Sequence, residues 1–214
     1  MANDYCTLAE VQAAVPDSGL SSSTDYDALI TSLITRASRL IDMECKRKPG
    51  AFAVSTSTSD NETRYYTGSG GSKQWVDEMA GEPSYVGISD DGSVASSDYD
   101  TVASTDFFLW PDNAALDLVP YRRIDLDILN GAYAVFYKFR KGVKVTAPFG
   151  YSTTTNTPDT IKQAAIITAS RWFKRGQQGF QDTGAIPELG QLTYTKALDP
   201  DVLETLAHFK RVTV

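Results

Sequence analysis

Apolar residues recur along the chain at two different periods, and the switches between them divide it into three stretches. Leu29, Ile30, Leu33, Ile34, Ala37, Leu40 and Ile41 fall at spacings of three and four, which predicts an amphipathic helix from about Asp25 to Glu44. Upstream, Thr7-Leu8-Ala9-Glu10 has the pattern of a capping box and predicts a short helix over roughly 8–15, stopped where Val15 precedes Pro16. Residues 17–24 are polar and read as a loop. The long helix should end at Cys45-Lys46-Arg47-Lys48-Pro49-Gly50, where cations suited to a helix C-terminus are followed by a breaker.

The next hundred residues are rich in Ser, Thr, Asp, Gly, Tyr and Val, and the apolar period shortens to two. Strands are predicted at Thr63–Thr67, Lys73–Val76, Tyr85–Ser89, Phe107–Trp110 and Arg122–Leu126. Val135, Tyr137 and Phe139 alternate with polar neighbours, as do Val143, Val145 and Ala147, so Ala134–Phe149 reads as a hairpin turning at Lys141-Gly142. Helical spacing returns after Gly150. Thr157-Pro158-Asp159 supplies an N-cap, a proline at the first helical position and an acid favoured by the helix dipole. Ile161, Ala164, Ala165, Thr168, Ala169 and Trp172 form the stripe, widened by Ile166, Ile167 and Phe173, and Gly176 and Gly179 should end it. A strand at Gln191–Lys196 and a last short helix opened by Asp199-Pro200-Asp201 complete the chain. The fold class is therefore α+β: a small helical bundle from 1–48 and 151–214 brackets a β-rich insert at 49–150, because neither helical end could bury its stripe alone.

Composition adds charge to this division. The 214 residues hold 20 Lys+Arg and 27 Asp+Glu, a net charge of −7, which argues against a general nucleic-acid coat. Residues 49–121 carry twelve acids and two bases, whereas residues 122–214 carry eight acids and thirteen bases, so the acidity is concentrated in the insert. Two cysteines, Cys6 and Cys45, are too few for a disulfide framework. The first residues lack the basic and apolar regions of a signal peptide, and no apolar run approaches the roughly 20 residues that span a bilayer. A soluble protein made in the cytoplasm, with no membrane partner, is expected.

Catalytic chemistry finds little support. His208 is the only imidazole and falls in the last turn of the last helix, where it serves the dipole. One His and two distant Cys make no zinc motif. Gly68-Ser69-Gly70-Gly71-Ser72 lacks the Gly-Lys-Ser/Thr ending of a phosphate loop and reads as a flexible hairpin tip. Asp125-Leu126-Asp127 with Asn130-Gly131 is an incomplete calcium loop, since Phe136 stands where the bidentate Glu belongs. Asp90, Asp91, Asp98, Asp100 and Asp106 could supply paired carboxylates, but their Gly, Ser and Thr company predicts solvated turns. No enzyme activity, cofactor or metal is expected. Tyr65, Tyr66, Trp75, Tyr85, Tyr99, Trp110 and Tyr121 crowd the insert and would suit a protein-contact or sugar-stacking face, about half of them being core.

In order and spacing, the chain resembles the head-tail connector, or adaptor, proteins that complete the head of tailed bacteriophages. The resemblance rests on Thr7-Leu8-Ala9-Glu10-Val11 with the long helix and its basic end. It continues with Gly150-Tyr151 and Pro158-Asp159-Thr160-Ile161-Lys162-Gln163-Ala164, and closes with Leu198-Asp199-Pro200-Asp201-Val202-Leu203 and Phe209-Lys210-Arg211. Asn61–Tyr66, Phe107–Pro111, Pro120-Tyr121 and Val143–Tyr151 look like the β-insert of longer members. The resemblance implies a structural virion protein of the viral neck, present in the host cytoplasm before assembly. It would form a ring, a dodecamer, beneath the portal protein, extend the DNA channel and hold further neck or tail proteins. Genomic DNA would pass through the lumen without sequence recognition, and an acidic lining would let it slide. Portal docking is expected from the 190–214 arm, through Leu192, Tyr194, Leu198, Val202, Leu203, Phe209 and Arg211, and Asp90, Asp91, Asp98 and Asp100 would form an acidic face of the insert. A stopper or tail terminator is expected to be mainly a β-barrel, which the capped helices disfavour. The alternative from another class is a carbohydrate- or surface-binding module using the aromatic insert.

Overall fold

The structure, a computed structural model, describes residues 3–15, 24–93, 95, 98–177, 183–186, 190–193 and 198–211. The fold is α+β. The chain forms two compact units, Met1–Gly50 with Thr157–Val214, and Ala51–Asn156.

In the first unit, α1 (Leu8–Ala13) starts at the predicted capping box: the Glu10 amide donates to Thr7 Oγ1 at 3.3 Å and the Thr7 amide to Glu10 Oε2 at 2.7 Å. The expected loop at 17–23 lies outside the described residues. Helix α2 (Asp27–Glu44) buries Ile30, Ile34, Ala37 and Ile41 along one stripe, with Ser38 and Asp42 beside them. The buried stripe is narrower than the seven apolar positions suggested, because Leu29 is 45% exposed and Leu33 and Leu40 are half-buried.

The second unit holds β1 (Glu62–Tyr66), β2 (Lys73–Met79), β3 (Tyr85–Ile88), β4 (Asp100–Thr101), β5 (Phe107–Trp110), the one-turn α3 (Ala114–Asp117), β6 (Tyr121–Leu126) and β7 (Val143–Ala147). They form a four-stranded antiparallel sheet, β1-β7-β3-β4, and a three-stranded one, β2-β6-β5. One core draws on both: Val86, Ile88, Val143, Val145 and Ala147 from the first sheet, Met79, Ile124 and Leu126 from the second, with Phe136 and Phe149. Because side chains alternate along a strand, the opposite face of each sheet is left to solvent.

Two expectations for this unit need correction. Residues 134–142 are not a strand, so Ala134–Phe149 is not a hairpin. Both edges of β7 are occupied, by β1 and β3, leaving no ladder for 134–142 to join. That segment instead bonds to the Gly68–Gly71 loop: the Phe136 amide donates to Gly71 O at 2.9 Å and the Gly70 amide to Phe136 O at 2.8 Å. The glycine loop, correspondingly, is not a hairpin tip, since β1 and β2 belong to different sheets. A Cβ on Gly68 would sit 1.8 Å from Tyr137 O, so glycine is required where the two backbones cross.

Back in the first unit, α4 (Asp159–Gln177) buries Ile161, Ala164, Ala165, Thr168, Ala169, Ser170 and Phe173, with Ile166, Ile167 and Trp172 half-buried on its flanks. It includes Gly176 as its penultimate residue, despite the weak helix preference of glycine. Helices α1 and α2 pack on it, the alanines permitting close approach. Strands β8 (Thr183–Ile186) and β9 (Gly190–Thr193) form a small antiparallel ribbon, and α5 (Pro200–Ala207), capped by Asp199, packs on α4. No helix among the described residues is long and apolar enough to cross a membrane.

Candidate functional site

The solvent face of the three-stranded sheet is built by its register. Trp75 on β2 and Trp110 on β5 both pair with Arg123 on the central β6, and one step along, Lys73 and Phe108 both pair with Asp125. Alternation sends Gln74 and Ile124 inward and these six side chains outward. The two indole rings meet edge to face with centroids 5.7 Å apart. The Arg123 guanidinium lies 4.7 Å from the Trp110 ring and 5.3 Å from the Trp75 ring, and it grips Asp125 bidentately at 2.6 and 2.8 Å. Trp75 and Phe108 remain 58% exposed. A cleft of about 360 Å³ is lined by Phe108 with Phe107, Leu109, Pro83, Tyr121, Glu82 and Asp112. Exposed tryptophans around an immobilised arginine have the composition of an interface centre.

The face of the four-stranded sheet is different. Tyr65, Tyr85 and Tyr99 cluster there beneath two lysines: Lys141 Nζ lies 5.7 Å from the Tyr65 ring, and Lys144 Nζ 5.3 Å and 5.6 Å from the Tyr85 and Tyr99 rings. The Tyr85 hydroxyl donates to Tyr99 O at 3.1 Å and the Tyr99 hydroxyl to Lys141 O at 2.7 Å. Burial, and then the neighbouring Tyr65, push the Tyr99 phenol up, so it is neutral and a donor at ordinary pH. Of the seven insert aromatics, Tyr99 is buried, Tyr66, Tyr85 and Tyr121 are half-buried, and Tyr65, Trp75 and Trp110 are exposed.

The acidic face is only partly what the sequence suggests. Asp90, Asp91 and Asp100 are exposed, but Asp98 is half-buried and accepts from the Ser93 hydroxyl and from the Ala95 amide at 3.1 Å. Asp91 likewise accepts from the Ser93 amide at 2.8 Å, so two of the four build a turn. The charge split also changes when counted by folded unit. The insert unit, 51–156, holds fourteen acids and eight bases, a net of −6, and the helical unit thirteen and twelve, a net of −1. Arg122, Arg123, Lys138, Arg140, Lys141 and Lys144 belong to the insert, so the contrast between an acidic insert and a basic C-terminal part is replaced by a mixed insert and a near-neutral bundle. In the incomplete calcium loop, Asp125 is held by Arg123, and Asp127 caps the Leu129 and Asn130 amides at 3.0 and 3.2 Å.

At the C-terminal end the docking residues separate into two groups. Leu192 lies on β9, opposite Gly184, and Tyr194 is outside the described residues. Val202 is 2% exposed, with Leu206 beside it in the bundle core, so Val202 anchors α5 instead of offering a docking surface. The anchoring is extensive: Arg171 pairs with Asp199 at 2.7 Å, Arg47 Nε donates to Phe209 O at 3.1 Å, the Arg211 amide donates to Cys45 O at 3.0 Å, and Lys210 pairs with Glu44. Leu198, Leu203 and Phe209 are half-buried and Arg211 is exposed. His208 caps α5 at the surface. Cys6 and Cys45 are buried free thiols, pushed up to about 12 and about 11 chiefly by burial.

Sequence reasoning singled out the tryptophans but missed Arg123 and Phe108, although their parity along the strands (73, 75; 108, 110; 123, 125) was readable. It missed the exposed Tyr137–Lys141 segment because the alternation there imitates a strand.

No family profile matches the chain, and no curated protein is detectably similar to it in sequence. Solved structures do share the fold. A chain from the neck of an empty gene transfer agent particle, computed with C6 symmetry, matches at a TM-score of 0.54 and 17% identity, over 98% of this chain and 91% of that one. A chain from the virion of a native gene transfer agent particle matches at 0.52 and 16%, with the same coverage. At these identities the likeness is one of fold.

Proposed function

We propose that this chain is a structural head-to-tail adaptor of a tailed phage or phage-like particle. It forms a ring beneath the portal, completes the neck, extends the DNA channel and offers a surface to further neck or tail proteins. The observation that carries this reading is the nearly end-to-end match of its fold to a chain of a particle neck. The exposed Trp75–Arg123–Trp110 face supports an assembly role, since it has the residue types that concentrate binding energy in protein interfaces. A ring contact is heterologous and needs two different surfaces on each subunit, and the unlike solvent faces of the two insert sheets supply them. Sixfold symmetry at the neighbour's neck is met by six or by twelve copies, and the proposed ring has twelve. The role is non-enzymatic and virion-borne, with the protein passing through the host cytoplasm before assembly.

In this reading portal docking falls to the segment that carries Leu192, while α5 packs on α4. Negative-stain images of the protein mixed with portal rings test both points. Coaxial decoration is expected, and replacing 183–193 by a short Gly-Ser linker should abolish it. A folded protein that never decorates portals would refute the adaptor reading. The exposed tryptophan pair also favours a second reading, a sugar-binding module; glycan binding that survives in the absence of any ring would support it.

A further inference from the structure

We propose that the segment Tyr137–Lys144 is a contact site for the phosphodiester backbone of DNA. Within these eight residues lie Lys138, Arg140, Lys141 and Lys144. The three arginines of the sheets are consumed by acids: Arg64 by Glu62 and Asp77, Arg122 by Glu78, and Arg123 by Asp125. Among the described residues none of the four segment cations has a carboxylate partner within 4.0 Å. Lys138, Arg140 and Lys141 are exposed, and the Lys138 stem lies along Gly70, which leaves its ammonium in water. Unpaired cations in water are the groups that release counterions when they meet phosphates.

The segment is also pre-arranged. Its Phe139, Gly142 and Lys141 carbonyls accept from the Gly68 amide, the Ser89 amide and the Tyr99 hydroxyl, at 2.7–3.2 Å. Tyr137 and Phe139 stack with centroids 6.4 Å apart, each 37% exposed, and the Phe139 ring covers Gly92, whose φ of +82° and missing Cβ accommodate it. Little ordering entropy is therefore left for binding to cost. Asp90 and Asp91 are exposed on the adjoining turn and Asp100 lies near Tyr133, so the contact is weak. A self-contact is disfavoured by position: acids and bases share one corner of the subunit, whereas a ring requires them on separate faces. Weak, sequence-independent contact suits a strand that must slide, and within the ring reading it would turn this segment toward the channel in place of a purely acidic lining. The inference rests on the segment's own chemistry and does not require the ring.

The test is fluorescence anisotropy of the full chain with a labelled 30-base-pair duplex and a single strand of equal length. With about two to four phosphates engaged, affinity should fall about 10- to 150-fold between 50 and 200 mM salt. K138Q/R140Q should lower the salt slope by about two units, and D90N/D91N should tighten binding. K46Q/K174Q, an equal loss of charge at exposed positions of the helical unit, should change neither. Preference for the single strand would add stacking on Tyr137 and Phe139, and equal binding would leave phosphates alone; both support the site. No binding at 50 mM salt, an equal loss in K46Q/K174Q, or a K138Q/R140Q variant that loses only self-association would overturn it. DNA binding without ring assembly would retain this site while removing the adaptor reading, and ring assembly without DNA binding would do the reverse.

Discussion

Removing the carboxylate of Asp42 should unfasten the point at which the chain leaves the helical unit. Asp42 is 2% exposed, and Tyr5, Gly50 and Arg39 are among the groups it faces. The Tyr5 hydroxyl donates to Oδ1, the Gly50 amide donates to Oδ2 at 3.0 Å, and Arg39 Nε stands 3.2 Å from Oδ2 outside hydrogen-bond geometry, acting through its charge. Asp42→Ala leaves a buried hydroxyl and a buried amide without their acceptor and removes the arginine's counter-charge, which costs about 3–5 kcal/mol. Tyr5→Phe removes one hydrogen bond to a charged group, about 1.5–3 kcal/mol. The pair is non-additive: once Asp42 is gone the Tyr5 hydroxyl has already lost that acceptor, so Tyr5→Phe in that background should cost much less than in the parent. Urea unfolding of the four proteins measures the cycle. At about 2 kcal/mol/M, Asp42→Ala should lower the midpoint by about 2 M. Additive effects, or an Asp42→Ala change under about 1 kcal/mol, would refute the reasoning.

Other tests follow from particular residues. Cys6 and Cys45, buried and with pKa values raised to about 12 and 11, should be unreactive to a thiol reagent at pH 8 and both titrate in denaturant. Glu10 is held below the ordinary carboxyl range, first by the Thr7 amide. Its folded pKa is depressed, so the capping box should stabilise fully above the unfolded value of 4.5 and lose that contribution as pH falls below it, a dependence that thermal melts should find missing in Glu10→Gln. Gly68→Ala, which drives a Cβ into Tyr137 O, should cost more than about 2 kcal/mol, whereas Gly71→Ala, whose Cβ meets nothing within 4 Å, should be nearly neutral by the same melts. Trp75→Ala should change stability by less than about 1 kcal/mol yet, if the proposed ring forms through this face, weaken its assembly at least tenfold in sedimentation.

What the chain encodes locally was legible. The capping box at Thr7 and Glu10, the proline-led start of α5 and the strand Phe107–Trp110 are settled within a few residues by hydrogen bonds and backbone preference, and they stand where the pattern puts them. Pairing was not legible. Val135, Tyr137 and Phe139 alternate as a strand would, but whether a segment pairs depends on a free edge, and β1 and β3 already fill both edges of β7. The same long-range choice left Tyr137–Lys141 at the surface, gathered Trp75, Arg123 and Trp110 from three separated strands, and moved six cations into the insert's own charge balance. Likewise Val202 looked available for docking until the packing of α5 buried it. The sequence alone determined the places of the longer helices and of most strands, because those are short-range decisions. Only the tertiary structure decided which faces remain for partners, because exposure is what is left after every strand edge and apolar stripe has been covered.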